Sequence, residues 1–530
     1  MTATEFDYII VGAGSAGCVL ANRLSAGGRA TVCVIEGGGT ESAPNVTVPA
    51  GILSLYGNPK YDYAFTGTPQ PELMNRRIPV NRGKALGGSS TINSMVFIRG
   101  ACSDYDAWRD LGCAGWGWDD VLPVFKSLEN NQLGQLPAWH GSKGELFVSA
   151  ARDPNVLDRM FIAAGRAVGL RENTDFNAGT QEGLGVYNVT QKNGTRWSSF
   201  RAFLKPVLGR ANLTVLTGTE THRVLLEGTR ASGVEVSNAG GRRVLRARRE
   251  VILSAGAIGS PTILMRSGIG PAAMLQAAGV AVQHDLPGVG QNLRDHIDGM
   301  ITVRSRSTKT LGLSLANLPA MIAAPFRYLF ARKGMLSTNY VEAGGFARTK
   351  FAGSEPDIQF HFVPGYRSHR GWLVEYGHGY AVHTCVLRPK SVGEIRLAKD
   401  GGAEIDHRFF TDPHDAATLV EGIKIARAIF ADSAFDEVRG PEMLPGPKVQ
   451  SDAEIEAYLR AEALTVYHPV GTCKMGTDAL AVTDPATLKV RGIEGLRVAD
   501  ASVMPTLIGG NTNVPSMMIG ERCARMVLTA

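Results

Sequence analysis

The chain has 530 residues, of which 44% are hydrophobic, 20% are charged and 63 are glycine. This composition excludes a disordered, collagen-like or disulfide-rich secreted protein, because apolar residues are abundant, glycine shows no three-residue period and there are only 7 cysteines. The net charge of +6 is spread along the chain, which disfavours nucleic-acid binding. An odd number of cysteines without a CxxC pair favours reduced thiols in a cytoplasm, and we expect no metal site.

The first forty residues predict a βαβ unit. Residues 7–11 form a β-branched run suited to a buried parallel strand, residues 15–25 have helical spacing, and residues 31–35 form the next strand. The polar start of the chain lacks the basic and apolar regions of a signal peptide, so export by the Sec route is not expected.

A glycine-rich turn joins the first predicted strand to the helix. Gly12, Gly14 and Gly17 form the motif G-x-G-x-x-G, which permits a tight turn, a close approach of pyrophosphate and close packing of the helix. Glu36 follows about 20 residues later, where such sites place the carboxylate that binds a ribose hydroxyl. An acid there favours an unphosphorylated ribose, so the pattern predicts NAD or FAD rather than NADP.

A second glycine-rich loop, RGKALGGSSTIN, occupies residues 82–93. A ligand long enough to need two backbone cradles, one for a diphosphate and one near a second ring system, would explain this loop. It therefore favours FAD over NAD, and a plain surface loop is the alternative interpretation.

Two more strand patterns lie far downstream, at residues 250–254 and 496–499, and both end in small or acidic turns. With the first unit they indicate one domain assembled from separated pieces. Between them, alternating stretches such as DIQFHF at 357–362 predict an antiparallel sheet with one solvated face. The apolar stretch around 315–330 is interrupted by asparagine, proline and arginine and is too short to span a membrane, although it allows a peripheral membrane contact.

Four separated motifs resemble those of the glucose-methanol-choline (GMC) oxidoreductase family, in its choline-dehydrogenase-like branch. Residues 83–106 and 256–270 are similar to the two family signatures, and residues 468–476 and 510–513 are similar to its C-terminal motifs. The match covers the whole chain in family order. The resemblance implies FAD bound in a discontinuous domain, with an alcohol held between the flavin and a six-stranded substrate domain.

The predicted fold is therefore α/β. A discontinuous, Rossmann-like FAD-binding domain comprises residues 1–155, 216–299 and 456–530, and an α+β substrate-binding domain built on an antiparallel sheet comprises residues 156–215 and 300–455.

The resemblance also implies the cofactor contacts. The residues it places at the cofactor are Gly12, Gly14 and Gly17 at the pyrophosphate, Glu36 at the adenosine ribose, Gly87, Gly88 and Asn93 near the flavin, Val224 at the adenine, Asp500 and Ala501 beside the ribityl chain, and Asn513 near the flavin. Some relatives carry a histidine that bonds covalently to the flavin. This chain has Ile92 at that position, so we expect dissociable FAD.

His468 is the predicted catalytic base. Alcohol oxidation removes a hydroxyl proton while a hydride leaves carbon for the flavin, and a neutral imidazole is a suitable proton acceptor. Pro469 favours an extended backbone at His468, which can aim the side chain out of a loop. Asn511 matches the family's second active-site position, where an amide donates a hydrogen bond to the developing alkoxide but cannot take its proton. Asp295 and His296 could suggest a metal pair, but we interpret them as a structural loop of the family.

These residues predict an FAD-dependent alcohol dehydrogenase that converts a primary alcohol to the aldehyde. A polyol, a sugar such as sorbose, or a simple alcohol ranks above choline, for which Glu342 beside Tyr340 is a conjectured site. The electrons would pass to a quinone-like carrier or to oxygen, and we favour a soluble or membrane-surface acceptor. The alternatives are a choline dehydrogenase, an alcohol oxidase, a hydroxynitrile lyase-like protein with structural flavin, a nicotinamide dehydrogenase and a non-enzymatic flavoprotein.

Overall fold

The computed structural model describes residues 4–366 and 376–529. Within them the α-helices are α1 Ser15–Leu24, α2 Pro44–Thr47, α3 Cys102–Asp110, α4 Trp118–Leu128, α5 Val156–Ala167, α6 Gly256–Arg266, α7 Ala272–Ala277, α8 Leu318–Ala331, α9 Pro413–Ala431, α10 Asp452–Glu462 and α11 Asn513–Thr529. The strands over the same residues are β1 Glu5–Val11, β2 Val32–Ile35, β3 Phe65–Gln70, β4 Arg76–Val80, β5 Glu129–Asn131, β6 Leu146–Val148, β7 Gly183–Val186, β8 Gln191–Lys192, β9 Thr195–Arg196, β10 Leu213–Leu216, β11 Glu220–Glu227, β12 Arg230–Asn238, β13 Gly241–Leu253, β14 Ile269–Gly270, β15 His284–Asp285, β16 Ile297–Ser305, β17 Ala343–Ala347, β18 Ile358–Val363, β19 Gly379–Val386, β20 Glu394–Leu397, β21 Ala403–Asp406, β22 Arg439–Leu444, β23 Leu464–Thr465 and β24 Leu496–Val498.

The first sheet contains the predicted βαβ unit. Its order is β10-β2-β1-β13-β12-β11, and β24 pairs with the end of β13. The strands β10, β2 and β1, the end of β13, and β24 run parallel, whereas β11, β12 and the start of β13 are antiparallel. All four residues of β2 are buried, as expected for a parallel strand covered on both faces. The structure therefore assembles this sheet from three distant parts of the chain, as predicted.

The helix that follows the first glycine loop, α1, is covered by the last helix, α11. The hydroxyl of Ser15 donates a hydrogen bond to Asn513 Oδ1 at 2.7 Å, which joins the first residues of the two helices. Further along, a Cβ added to Gly520 would lie 2.6 Å from Ala16 O, so only glycine allows the two helices to pack this closely. The start and the end of the described chain therefore meet beside the glycine loop.

The second sheet is antiparallel throughout. Its order is β22-β16-β19-β18-β17-β7, and the short β23 pairs with β16. Helices α5, α9 and α10 cover one face, where their apolar side chains form a core with those of the strands. The stacked rings of Phe161 on α5 and Phe362 on β18, 4.6 Å apart, are one such contact. The opposite face of the sheet looks towards the first sheet.

The predicted solvated face of this sheet is wrong. All six residues of β18, Ile358–Val363, are buried. His361 lines a cavity between the sheets, and Gln359 Nε2 donates a hydrogen bond to Asn511 Oδ1 at 3.2 Å. The alternation of polar and apolar residues is real, but the polar side chains face an internal site rather than bulk water.

The predicted domain boundaries differ from the sheets at two places. β10, which the prediction places in the substrate domain, is the edge strand of the first sheet beside β2. Conversely, β23 pairs with β16 in the second sheet, although the prediction assigns it to the other domain. Both strands are short and carry no run of buried apolar residues that would have marked them in the sequence. We propose the same two-part division with these elements exchanged.

The apolar stretch around 315–330 is a surface helix. It comprises a 3₁₀ turn, Leu315–Asn317, followed directly by α8. Only Ala324 and Tyr328 of α8 are buried. Across the part of the chain that the structure describes, no helix has both the length and the apolar character needed to cross a bilayer.

Candidate active site

A cavity of about 870 Å³ lies between the two sheets. Its wall includes Gly12, Gly14 and Glu36 from the first glycine loop and its following strand, and Gly88 and Asn93 from the second loop. Residues of the second sheet and of the C-terminal motifs complete the wall. The sequence motifs, some of which lie hundreds of residues apart, therefore share one cavity.

The two glycine-rich loops touch each other. A Cβ added to Gly88 would lie 2.7 Å from Gly14 Cα, and one added to Gly17 would lie 1.9 Å from Gly12 O. Gly12 itself has a φ of +100°, and a Cβ there would lie 2.5 Å from Ser254 O. A side chain at Gly88 would push the two loops apart, and side chains at Gly17 and Gly12 would distort the first loop, whereas Gly14 is open to the cavity, with its nearest neighbour 3.8 Å away. The loops thus form a backbone cradle at the N-terminus of α1, a geometry suited to phosphate.

Glu36 lies at the end of β2 and lines the cavity. Its carboxylate accepts hydrogen bonds from the N–H groups of Ala13, at 3.1 Å, and Gly38, at 2.8 Å. Burial raises the pKa of this carboxyl to about 7. Because a carboxylate has further lone pairs, Glu36 can also accept from the hydroxyls of a bound ribose.

Four other predicted cofactor residues also lie in the cavity wall: Asn93, Asp500, Ala501 and Asn513. Asp500 accepts hydrogen bonds from Gly256 N–H at 2.9 Å and from Ser260 Oγ at 2.6 Å, so it also fixes the start of α6. Gly17 and Gly87 are absent from the wall. The N–H of Gly87 donates to Ala13 O at 2.7 Å, so Gly87 links the two loops instead of facing the cavity.

His468 and Asn511 lie side by side in the cavity wall, with His468 Nε2 3.2 Å from Asn511 Nδ2. The backbone N–H of His468 donates to Asp295 Oδ1 at 2.7 Å, and Thr465 donates to the other oxygen of Asp295 at 2.6 Å. The loop that carries His468 is therefore held by a buried carboxylate.

The neighbouring His296 determines which nitrogen of His468 carries the proton. His296 Nε2 lies 3.1 Å from Leu387 O, and a carbonyl only accepts, so His296 carries its proton on Nε2. Burial lowers the pKa of His296 to about 4, so the ring is neutral at pH 7 and its Nδ1 is an acceptor. His468 Nδ1, 3.0 Å away, must then be the donor. The lone pair of His468 is consequently on Nε2, next to Asn511.

Comparison with known proteins identifies the family. A family model described as GMC oxidoreductase matches residues 6–298, and a second model with the same description matches residues 389–520.

The chain belongs to the GMC oxidoreductase family.

The curated relatives of this GMC oxidoreductase include the "Alcohol dehydrogenase [acceptor]" of Pseudomonas putida, which is 45% identical over 99% of this chain and 96% of the relative. The "Oxygen-dependent choline dehydrogenase" of Sinorhizobium fredii is 42% identical over 99% of this chain and 96% of the relative. Among solved structures, pyridoxine 4-oxidase from Mesorbium loti matches with a TM-score of 0.89 and 32% identity, covering 99% of each chain. The predicted family, α/β fold class and oxidoreductase activity of the choline- and alcohol-dehydrogenase-like group are therefore confirmed.

GMC oxidoreductases bind FAD, and the residues of this chain fit that cofactor. Where the two glycine loops meet they leave a cradle that side chains on the glycines would fill. Helix α1 begins at this cradle, and no side chain caps its free N–H groups, which can therefore bind phosphate. Glu36 lies next to the cradle as a ribose partner, and the cavity continues from the cradle to His468.

The structure does not place Val224 in the cavity wall. The side chain of Val224 is buried in the core of the first sheet, and its N–H donates to Ser267 Oγ at 2.8 Å. Thr221, three positions earlier on β11, lines the cavity instead, and its Oγ1 is buried without a hydrogen-bond partner among the described residues. β11 has a register shift between Thr221 and Arg223 that no sequence pattern indicates.

The conjectured choline site is also wrong. Glu342 does not line the cavity; its carboxylate accepts a hydrogen bond from Asn155 N–H at 2.8 Å. It lies beside Asp158, whose pKa is raised by burial and by this neighbouring carboxyl. Glu342 therefore packs between α5 and β17, away from any substrate.

The interpretation of Asp295 and His296 as a structural loop was incomplete. Asp295 holds the backbone of His468, and His296 holds its ring. His361, which the sequence suggests as a polar residue of the substrate pocket, lines the cavity. Burial lowers the pKa of His361 to about 3. Burial, with smaller contributions from His296, His361 and Arg82, lowers the pKa of His468 well below its usual range. This part of the wall consequently presents neutral imidazoles at pH 7.

Proposed function

We propose that this GMC oxidoreductase oxidises a primary alcohol to the aldehyde, with His468 as the base. The observation that carries the proposal is the position of His468 Nε2. Its lone pair is oriented by His296 and lies beside Asn511, in the cavity that also contains the glycine cradle. Bound FAD would supply the hydride acceptor.

In the proposed reaction the hydroxyl proton of the alcohol passes to His468 through a hydrogen bond in the cavity wall. The alcohol hydroxyl donates to His468 Nε2, and Asn511 Nδ2 donates to the alcohol oxygen as negative charge develops there. His468 takes the hydroxyl proton as the carbon-bound hydrogen leaves with its electron pair, and the product is the aldehyde. His296 Nδ1 keeps accepting from His468 Nδ1–H, which holds the imidazole in place while it becomes charged.

The cofactor would be held chiefly by backbone. Gly12, Gly14, Gly17 and Gly88 shape the cradle for the pyrophosphate, and Glu36 accepts from the adenosine ribose. Gly87 supports the cradle by linking the two loops. The remaining residues proposed in contact with the cofactor are Asn93, Asp500, Ala501 and Asn513, with Thr221 in place of Val224 at the adenine.

FAD is proposed to be non-covalent. Ile92, at the position where some relatives have a histidine, lines the cavity and packs in a small apolar cluster with Val46 and Leu55. A hydrocarbon side chain cannot form the bond. Acid precipitation should therefore release all of the flavin into the supernatant.

The substrate is proposed to be a simple, apolar primary alcohol. The second sheet and its connections contribute both polar side chains, among them His361, His383 and Tyr366, and a larger apolar set to the wall: Met300, Leu311, Leu313, Met321, Met335, Leu336, Val341, Val363, Leu464 and Val466. A polyol or sugar would leave its hydroxyls unpaired against such a surface. The ammonium group of choline is best bound by a carboxylate together with aromatic rings. Tyrosine rings line the cavity, but the carboxylate of Asp298 in this wall is already bonded to His383 Nδ1 at 2.7 Å, which disfavours choline.

The electron acceptor is proposed to be a quinone-like carrier in preference to oxygen. The 45% identical relative named "Alcohol dehydrogenase [acceptor]" supports this choice. The seven cysteines are free and six of them are buried, which fits the reducing cytoplasm that we propose as the compartment.

Anaerobic titration tests the proposed reaction. Addition of 1-butanol to the holoenzyme should bleach the visible flavin band, and sorbitol and choline should bleach it far more slowly. Turnover with an artificial acceptor under argon should exceed turnover with oxygen. A flavin band that no alcohol bleaches would contradict alcohol oxidation and favour the lyase-like alternative, in which flavin is structural. Faster bleaching by choline or sorbitol would overturn the substrate class alone.

A further inference from the structure

The outer face of α8 is an exposed apolar surface, and only Ala324 and Tyr328 of this helix are buried. Its large exposed side chains are Leu318, Ile322, Phe326, Leu329 and Phe330, preceded by Leu315 in the 3₁₀ turn. Their spacing of three and four residues places them along one side of the helix. Phe330 is 82% exposed and Leu315 is 79% exposed. Monomeric proteins rarely expose such a contiguous apolar surface without a partner.

The chain around this surface is strongly basic. Residues 306–341 contain five cations and no aspartate or glutamate. Lys309 is ion-paired with Glu437 and Arg327 with Asp153, so the positive charge next to the helix comes chiefly from Arg306, Arg332 and Lys333. Arg332 ends α8, and its guanidinium lies 4.9 Å from the ring centre of Tyr328, next to the last apolar turn. Apolar side chains flanked by cations are typical of helices that lie in the interface of anionic membranes.

The inner side of the same segment forms part of the cavity wall. Met321 of α8 lines the cavity, as do Leu311 and Leu313 before the helix and Met335 and Leu336 after it. The exposed apolar surface and the apolar part of the substrate site are therefore two sides of one segment. A partner on the outer side would lie directly beside the site.

We propose that the outer face of α8 docks on the surface of an anionic lipid bilayer. The five apolar side chains of the helix enter the headgroup region, and the basic residues contact lipid phosphates. The cavity beneath α8 then lies against the membrane, where apolar alcohols and a lipid-soluble electron carrier are concentrated. Docking is a binding property of the surface and does not depend on the proposed alcohol oxidation.

Vesicle sedimentation tests the proposal with the holoenzyme. We expect the protein to sediment with phosphatidylcholine vesicles containing phosphatidylglycerol, and at least about 5-fold less with phosphatidylcholine alone. The double variant Phe326→Ser/Phe330→Ser should lose at least about 5-fold of the bound fraction. The matched control Leu480→Ser/Leu528→Ser, at exposed apolar residues elsewhere, should bind like the unaltered protein.

Two further measurements test the contribution of the basic residues and distinguish a membrane from a second copy of the chain as the partner of this face. Arg332→Gln/Lys333→Gln should weaken binding to the anionic vesicles by about 3-fold or more. Equal binding by the Phe326→Ser/Phe330→Ser variant and the unaltered protein would overturn the proposal. So would sedimentation velocity showing a dimer that this variant dissociates, because a second copy would then cover the face. Turnover of 1-butanol with a water-soluble acceptor reports on the proposed function separately, and we expect the variants to retain it.

Discussion

The two parts of the cavity wall are built in different ways. The cradle around Gly14 is formed by the backbone of two glycine-rich loops, each a short continuous stretch of sequence. Its shape depends on the absence of side chains. The wall around His468 is made of side chains that come from β18, from the loop before β16 and from two separate C-terminal segments. Glycine spacing reveals the first kind of site directly, whereas the second exists only after the sheets have formed.

This difference explains what each part tolerates. In the cradle, steric exclusion is the constraint, so adding one methyl group should disturb cofactor binding. Around His468 the constraint is the position of a proton, so a substitution at its partner His296 that keeps the hydrogen bond to His468 Nδ1 should be tolerated. The following substitutions test this contrast, beginning with the largest expected effect.

His468→Ala should lower turnover of 1-butanol by at least about 100-fold, because it removes the group that takes the hydroxyl proton. The flavin should stay bound with an unchanged visible spectrum, since no residue of the cradle is altered. Steady-state kinetics and absorbance measure the two properties. His222→Ala is the control, because His222 lies on β11 and contacts Ser237 rather than the cavity. Unchanged turnover in His468→Ala would refute the assigned base.

Gly88→Ala should weaken FAD binding by about 10-fold or more, because the new Cβ would lie 2.7 Å from Gly14 Cα and must separate the loops. Titration of the apoprotein, followed by quenching of flavin fluorescence, gives the Kd. Gly39→Ala is the matched control, since a Cβ there meets no atom within 4 Å. If both variants bind FAD equally well, contact between the loops does not shape the site.

His296→Leu should lower kcat by about 10-fold with little change in KM, because it removes the acceptor that holds the proton of His468 on Nδ1. His296→Gln should restore most of this loss, since its carbonyl can accept from His468 Nδ1–H and its amide can donate to Leu387 O. Equal losses in the two variants would show that His296 acts through packing, and would contradict the role inferred from its hydrogen bonds.

Sequence patterns predicted the parts of the fold that have a strong local signal. β1, α1 and β2 follow from a β-branched run, a glycine turn and helical spacing, and their parallel pairing follows from the βαβ rule. β10 was assigned to the wrong sheet because four residues at a half-exposed edge carry no such signal. The alternation in β18 predicted an antiparallel strand correctly, but it could not distinguish bulk water from an internal cavity.

The same limit applies to the site. His468 and Asn511 were predicted because they lie in recognisable motifs, and the structure brings them within hydrogen-bonding distance. His296 was interpreted only as part of a structural loop, because its role in orienting His468 depends on a contact between residues 172 positions apart in sequence. Val224 was assigned from its place in a motif alone, and the presence of Thr221 in the cavity wall could not be predicted because a register shift inside a strand leaves no trace in composition or spacing.

The packing of α11 on α1 has a consequence for biosynthesis. Residues 513–529 leave the ribosome after every other described element, yet Asn513 contacts Ser15 at the mouth of the first glycine loop. A nascent chain can pair β1 with β2 early, but the nucleotide cleft is left open on one side until translation of α11 is complete. Loading of the cofactor is thereby expected to follow the translation of α11, and a chain terminated before α11 would be released as an apoprotein with the apolar side of α1 uncovered.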